Sequence, residues 1–320
     1  MLRIALFGRF SLNGGDGQSE RFHSSKVSEL FCYLLLHRDR PHSREMLASL
    51  LWGDHNTTTR SKKYLRNALW QLQGILDHQA GPAGVDFLLA NPNWIELRSV
   101  SELRLDVAVF EAAYAAVKGV AGRDLRDEDA RTLERATQLY AGPLLEDWYQ
   151  DWCLCKRERL HHIFLVMLDK LTGFCESRGR YEEALMYGGR ILQHDRARER
   201  THQQIMRLHY LAGDRTGALR QYESCVAALR DELDVRPSRR TVMLYEHLRA
   251  DLTHWLEAGP GENRASPVDE VMHGIEHIQE RLAQIQQEVQ RVVQVTEKTL
   301  GMLSSGSRGS HERTEREAGL

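Results

Sequence analysis

No stretch of this 320-residue sequence approaches the roughly 18 consecutive apolar residues that a membrane-spanning helix requires. The opening Met1-Leu2-Arg3-Ile4-Ala5-Leu6-Phe7 is too short, and turns polar too soon, to be a signal peptide. Cysteine is scarce. The five present (Cys32, Cys153, Cys155, Cys175, Cys225) are odd in number and form no CxxC or zinc-finger spacing, which suits reduced, mostly buried thiols. Also missing are the phosphate-cradling GxxxxGKS/T loop, the GxSxG nucleophile turn, HExxH and any paired-carboxylate arrangement. The fifteen histidines include His161 and His162, which are adjacent on a helix and so face different ways, unlike a metal pair. These absences lead us to expect a soluble cytoplasmic protein that is not an enzyme, uses no cofactor or metal and makes no membrane contact.

A large overall charge is missing too. The formal net charge is −2, so the chain is not a general polycation that coats nucleic acid. The balance is uneven: residues 1–104 hold 13 Lys and Arg against 10 Asp and Glu, a net of +3, which leaves −5 for the remainder. Any contact with nucleic acid is therefore local and belongs to the first third.

Within that third, Thr57 to Leu76 carries Arg60, Lys62, Lys63 and Arg66 without a single acid. Leu65, Ala68, Leu69, Leu72 and Leu76 recur at three- and four-residue steps, which predicts one amphipathic helix. With Leu65 at the centre of the buried face, Arg60, Lys63, Asn67 and Trp70 fall opposite and Arg66 lies at the flank. Lys62 falls towards the packed side, better placed for phosphate or solvent. A cationic face interspersed with amide and hydroxyl groups suits a duplex, because phosphates reward charge and base edges reward amide and guanidinium donors. The simpler alternative is a solvated helix whose charges contact nothing.

The segments around it supply a context. Leu2 to Leu12 alternates like a strand and meets a turn at Asn13-Gly14-Gly15, with a second short strand expected near Glu20 to Phe22. Lys26 to His37 reads as a compact helix. Arg40-Pro41 ends it, and Ser43 caps a second helix through Leu51. Phe87 to Leu97, bracketing Asn91-Pro92-Asn93, reads as a β-hairpin. Strands, three helices and a closing hairpin describe a winged helix-turn-helix over 1–100, with the third helix for the major groove and Asn93 on the wing for the neighbouring backbone.

From 105 to 257 the pattern is almost wholly helical. Gly179-Arg180-Tyr181-Glu182-Glu183-Ala184-Leu185 returns 34 residues later at Gly213 to Leu219, the period of tetratricopeptide (TPR) helix pairs. Trp148 and Trp152, one turn apart, are expected to anchor that packing. Residues 258–267 are linker-like in composition. Beyond them Ile275, Ile278, Leu282, Ile285, Val289 and Val292 continue an unbroken 3-4 seam across 268–303, predicting a coiled coil and a homo-oligomer. Residues 304–320 are polar and expected to be disordered. The expected fold class is mainly α: a winged helix-turn-helix (α+β), an all-α TPR-like domain and a C-terminal coiled-coil helix.

Together these residues resemble the bacterial antibiotic-regulatory transcriptional activators, whose second part is the bacterial transcriptional activator domain. The likeness runs through Leu30 to His37, Ser43-Arg44-Glu45, Leu51-Trp52 and Leu65-Arg66-Asn67-Ala68-Leu69. It continues in Tyr140, Gly142, Leu145, Trp152, Arg157, Gly179 to Leu185, Tyr222, Pro237 and Leu244-Tyr245. Three positions depart from the family pattern: Asp195-Arg196-Ala197 in place of Asp-Pro-Leu, Asp234 in place of glycine, and a wing turn without glycine.

The resemblance implies an activator that binds direct repeats in promoter DNA and recruits the RNA polymerase holoenzyme. Thr59, Arg60, Lys63, Arg66, Asn67, Trp70 and Asn93 are its candidate DNA contacts. Two alternatives without direct DNA binding are an oligomeric TPR-type interaction adaptor and a ligand-sensing regulator.

Overall fold

A computed structural model describes residues 2–13, 25–53, 57–80, 87–98 and 103–251. The strand expected near Glu20 to Phe22, the linker, the seam from Ile275 to Val292 and the polar tail lie outside the described residues. The described part is mainly helical, with two small three-stranded sheets.

The front begins with β1 (Leu2–Ala5) and β2 (Ser11–Asn13), paired antiparallel with Ile4 opposite Leu12. The alternation from Leu2 to Leu12 is thus two strands rather than one, because Gly8, at φ 78, turns the chain between them. Three helices follow: α1 (Ser25–Leu36), α2 (Arg44–Trp52) and α3 (Thr58–Ala80). Ser43 caps α2 as expected, its hydroxyl accepting from the Met46 amide. The hairpin is β4 (Leu88–Ala90) with β5 (Trp94–Leu97). It gains a third strand the sequence did not announce, the two-residue β3 (His42–Ser43), which pairs with β5. Because β3 runs straight into α2, the hairpin is stitched to the start of that helix.

A second unannounced strand, β6 (Leu103–Leu105), lies parallel to β1, about 100 residues away in sequence, and completes the order β2-β1-β6. It leads directly into the helical part: α4 (Asp106–Ala116), a 3-10 turn at Gly122–Asp124, and α5 (Asp127–Leu139). Then come α6 (Asp151–Ser177), α7 (Tyr181–His194), α8 (Glu199–Leu211), α9 (Arg215–Leu233) and α10 (Arg239–Ala250). The 34-residue register has a plain physical basis. Gly179 (φ 70) and Gly213 (φ 81) turn the chain between α6 and α7 and between α8 and α9, in a conformation that favours glycine. Ala184 and Ala218 are fully buried where the paired helices meet.

The buried side chains form one continuous cluster from Leu2 and Phe31 through Phe110 and Phe164 to Ile191, so the front and helical parts share a core. Trp152 shows this directly. Only Trp152 lies on α6, for Trp148 precedes the helix, and its ring meets Tyr33 of α1 at 5.4 Å. Both tryptophans pack against the core as expected, with their rings 6.1 Å apart, and Trp152 also ties the helical part to the front.

Candidate nucleic-acid interface

The helix α3 buries one stripe and presents the other. Leu65, Ala68, Leu69, Leu72 and Leu76 are all within the core. Ser61, also buried, donates its hydroxyl to the carbonyl of Trp52 at 3.0 Å, which fixes the start of α3 against the end of α2. Thr59, Arg60, Lys63, Arg66, Asn67 and Trp70 are all exposed, Trp70 at 79%. Within the described residues, the side chains of Arg60, Lys63, Arg66 and Asn67 take part in no hydrogen bond or ion pair. Lys62 differs: its ammonium lies 2.7 Å from the Glu45 carboxylate on α2, so it joins two helices instead of standing free. That hydrogen bond holds the Glu45 carboxyl below its ordinary range.

The hairpin turn sits beside the start of α2. The Asn91 side-chain oxygen accepts from the amides of Asn93 (3.0 Å) and Trp94 (2.6 Å). The absence of glycine there is thereby explained: the Asn91 side chain closes the turn, and none of its residues adopts positive φ. Arg44 ties the turn down, its amide donating to Asn93 O (3.0 Å) and its guanidinium to Asn91 O (3.1 Å). Asn93 is exposed at the tip. Thus α2, α3 and the hairpin are locked together, with the cationic side of α3 left open. Tyr64 and Gln71 are also exposed on that helix. In the sequence they did not stand out, because they lie at the flank of the wheel and carry no charge.

The front is joined to the helices behind it by saturated polar groups. The buried Asp106 carboxylate accepts from the amides of Leu6 (2.8 Å), Phe7 (2.9 Å) and Val107 (2.6 Å). Burial raises its pKa, and those amides oppose the shift. Residues 6–8 pair with 143–146 through Leu145 N to Leu6 O (2.8 Å), Gly8 N to Pro143 O (3.0 Å) and Glu146 N to Gly8 O (3.0 Å). Glu111 bridges Arg38 (3.0 Å) and Arg159 (2.8 Å). The Arg157 guanidinium donates to the carbonyls of Leu144 (2.7 Å), Leu145 and Trp148 (2.7 Å). This holds Leu145 at φ 45, a left-handed conformation unusual for leucine.

A family model described as the bacterial transcriptional activator domain matches residues 105–249. The helical part of the chain, α4 to α10, is thus similar to such domains. In structure the chain is similar to Mycobacterium tuberculosis EmbR, seen in complex with a low affinity phosphopeptide. The TM-score is 0.59 and the identity 21%, over 78% of this chain and 65% of that one. The chain thus spans less than two thirds of the EmbR chain, and at this identity the likeness concerns the fold. No curated protein matches the chain in sequence. The match over residues 105–249 agrees with the resemblance of the chain to the antibiotic-regulatory activators.

Within residues 105–249, two of the departures from the family pattern have local explanations. Asp234 ends α9 at φ 52, the left-handed cap where glycine is at ease and Asp is tolerated. The Asp195-Arg196-Ala197 turn is held by the buried His202, whose Nε2 lies 2.8 Å from Arg196 O while Gln221 reaches its Nδ1 at 2.7 Å. That histidine is a satisfied core residue. No group of three or more metal-ligating side chains occurs among the described residues, and no described helix is long and apolar enough to cross a membrane.

Proposed function

We propose that the chain is a sequence-specific DNA-binding activator. Residues 1–100 form a winged helix-turn-helix in which α2 and α3 are the paired helices and β4–β5 the wing. The helix α3 enters the major groove, with Arg60, Lys63 and Arg66 at phosphates or guanine edges and Asn67 at an adenine. Thr59 lies at one margin, Trp70 faces the groove beyond the cationic turn, and Asn93 reaches the neighbouring backbone. One observation carries this reading: the open side of α3 is cationic, acid-free through Arg66, and unpaired while its neighbours are pinned.

One such module makes few base contacts, so useful specificity needs two subunits on repeated promoter half-sites. Residues 105–257, TPR-like in their helix pairs, recruit the RNA polymerase holoenzyme. After the linker at 258–267, the seam at 268–303 supplies the second subunit by self-association, followed by the tail at 304–320.

The ligand-sensing alternative has less support. A cleft of about 520 Å³ lies among α5, α6 and α7, but its charges are internally engaged. Arg178 pairs with Asp127 at 3.1 Å, Arg180 with Glu183, and Tyr187 donates to Glu134 at 3.2 Å.

The test is a mobility-shift titration of the full chain on a duplex from its own upstream region, at two salt concentrations. Steeply salt-dependent binding that Lys63→Ala and Arg66→Ala each weaken is expected. Absence of binding, or binding indifferent to both substitutions, favours an adaptor without DNA contact. Deleting residues 266–320 should lower the mass seen in sedimentation, and an unchanged mass removes the coiled-coil part of the proposal.

A further inference from the structure

Charge on the open side of α3 stops at Arg66. The exposed residues that follow are Asn67, Trp70, Gln71 and Gly74, all neutral, before Asp77 and His78 close the helix. Asn67, Trp70 and Gln71 have no polar or ring partner within the described residues. Two amides four residues apart therefore flank a tryptophan that is 79% exposed.

Gly74 sharpens the picture. It follows Leu65 by nine residues, about two and a half turns, and so faces directly away from the core. A Cβ there would meet nothing within 4 Å, so packing does not require glycine, the poorest helix former short of proline. Helical side chains lean towards the N-terminus, so any side chain at position 74 would lie over the turn that carries Trp70. Glycine leaves that flank of the indole clear for an incoming surface.

We propose that Asn67, Trp70, Gln71 and Gly74 form a neutral strip that reads A·T base pairs. The two amides pair with adenine edges, and the indole covers a thymine C5-methyl group. The cationic turn before it holds phosphates, while the strip meets the groove floor, where apolar and amide groups discriminate and charge does not. The inference rests on α3 entering the major groove. Continuity with the cationic turn, and the two unpartnered amides, favour a base-pair surface over a protein one.

The test starts from duplexes that the full chain enriches from a random-sequence library. Replacing each thymine in turn by deoxyuridine removes only its methyl group. At one or two positions this should weaken wild-type binding about fourfold, the worth of one buried methyl. Trp70→Ala should bind the thymine and uracil duplexes alike, with an unchanged salt slope. Replacing one adenine of the adjoining pairs by 7-deazaadenine should weaken the wild type but not whichever of Asn67→Ala and Gln71→Ala has lost the amide reading that base. Gly74→Ala should raise the melting temperature by about 2 °C while narrowing the thymine–uracil difference. Indifference of the wild type to uracil at every position, or a uracil penalty that persists in Trp70→Ala, overturns the strip. So does a Trp70→Ala variant that binds one half-site normally and fails only on paired half-sites, which assigns the strip to a protein partner. Failure of the library to enrich any duplex removes the DNA-binding reading itself.

Discussion

The open side of α3 and the seam between the front helices and the helical part behind them use the same kinds of side chain to opposite ends. In the seam the charged groups of three residues are answered: Asp106 by three amides, Glu111 by two arginines, Arg157 by three carbonyls. On α3 the guanidinium and amide groups of Arg60, Arg66, Asn67 and Gln71 meet no partner among the described residues. Buried polar groups must be paired because leaving one unpaired costs about 1–3 kcal/mol, whereas groups in water carry no such cost and remain free for a ligand. The difference separates residues that hold the fold from residues available to act.

The sharpest way to break that contrast is Asp106→Ala. It strands the amides of Leu6 and Phe7 in the core, and we expect a loss of about 3 kcal/mol in urea unfolding. A loss under about 0.5 kcal/mol would show that the seam is not under load. Arg157→Ala should follow at about 2 kcal/mol, because it uncovers three carbonyls and releases Leu145 from its left-handed conformation.

A pH titration probes the same seam without a mutation. His37, beside Lys156 and Arg40, is pushed down from 6.5 to about 3, chiefly by burial and then by those cations. The folded state therefore binds fewer protons than the unfolded state between these values. The stability associated with neutral His37 is fully present above about pH 6.5 and is lost as pH falls towards about 3. The slope reaches roughly 1.4 kcal/mol per pH unit. His37→Gln should flatten that part of the curve, and a curve unchanged by the substitution would contradict the assignment.

Smaller effects mark places where local geometry alone decides. Asp234→Gly relieves a left-handed cap and should stabilise the chain by about 0.5–1 kcal/mol in the same unfolding measurement. On α3, Arg60→Ala, Lys63→Ala and Arg66→Ala should each change stability by less than about 0.5 kcal/mol. A larger loss at any of them would mean that the residue belongs to the fold after all.

What could be read from the sequence follows the same division. The helix α3, its buried stripe and its open face were legible because a 3.6-residue period depends only on local spacing. The 34-residue register was legible for a similar reason: Gly179 and Gly213 mark turns, and Ala184 and Ala218 mark close contacts. The strands β3 and β6 were not, since two or three residues carry no period and owe their form to partners far along the chain. The roles of Asp106, Lys62 and Trp152 were hidden alike. Each depends on a residue of another element, and none stands out in composition. Gly74 was legible as a glycine but not as an unneeded one, because only the empty space around it shows that packing did not demand it.

The most direct test of the account combines stability and binding in one variant carrying Arg60→Ala, Lys63→Ala and Arg66→Ala. Its affinity for an enriched duplex should be measured across a salt series beside its melting temperature. The account predicts a wild-type melting temperature within a few degrees, binding at least tenfold weaker, and a salt slope reduced by about three, close to one for each lost phosphate contact. Undiminished affinity and slope in a folded variant would contradict it.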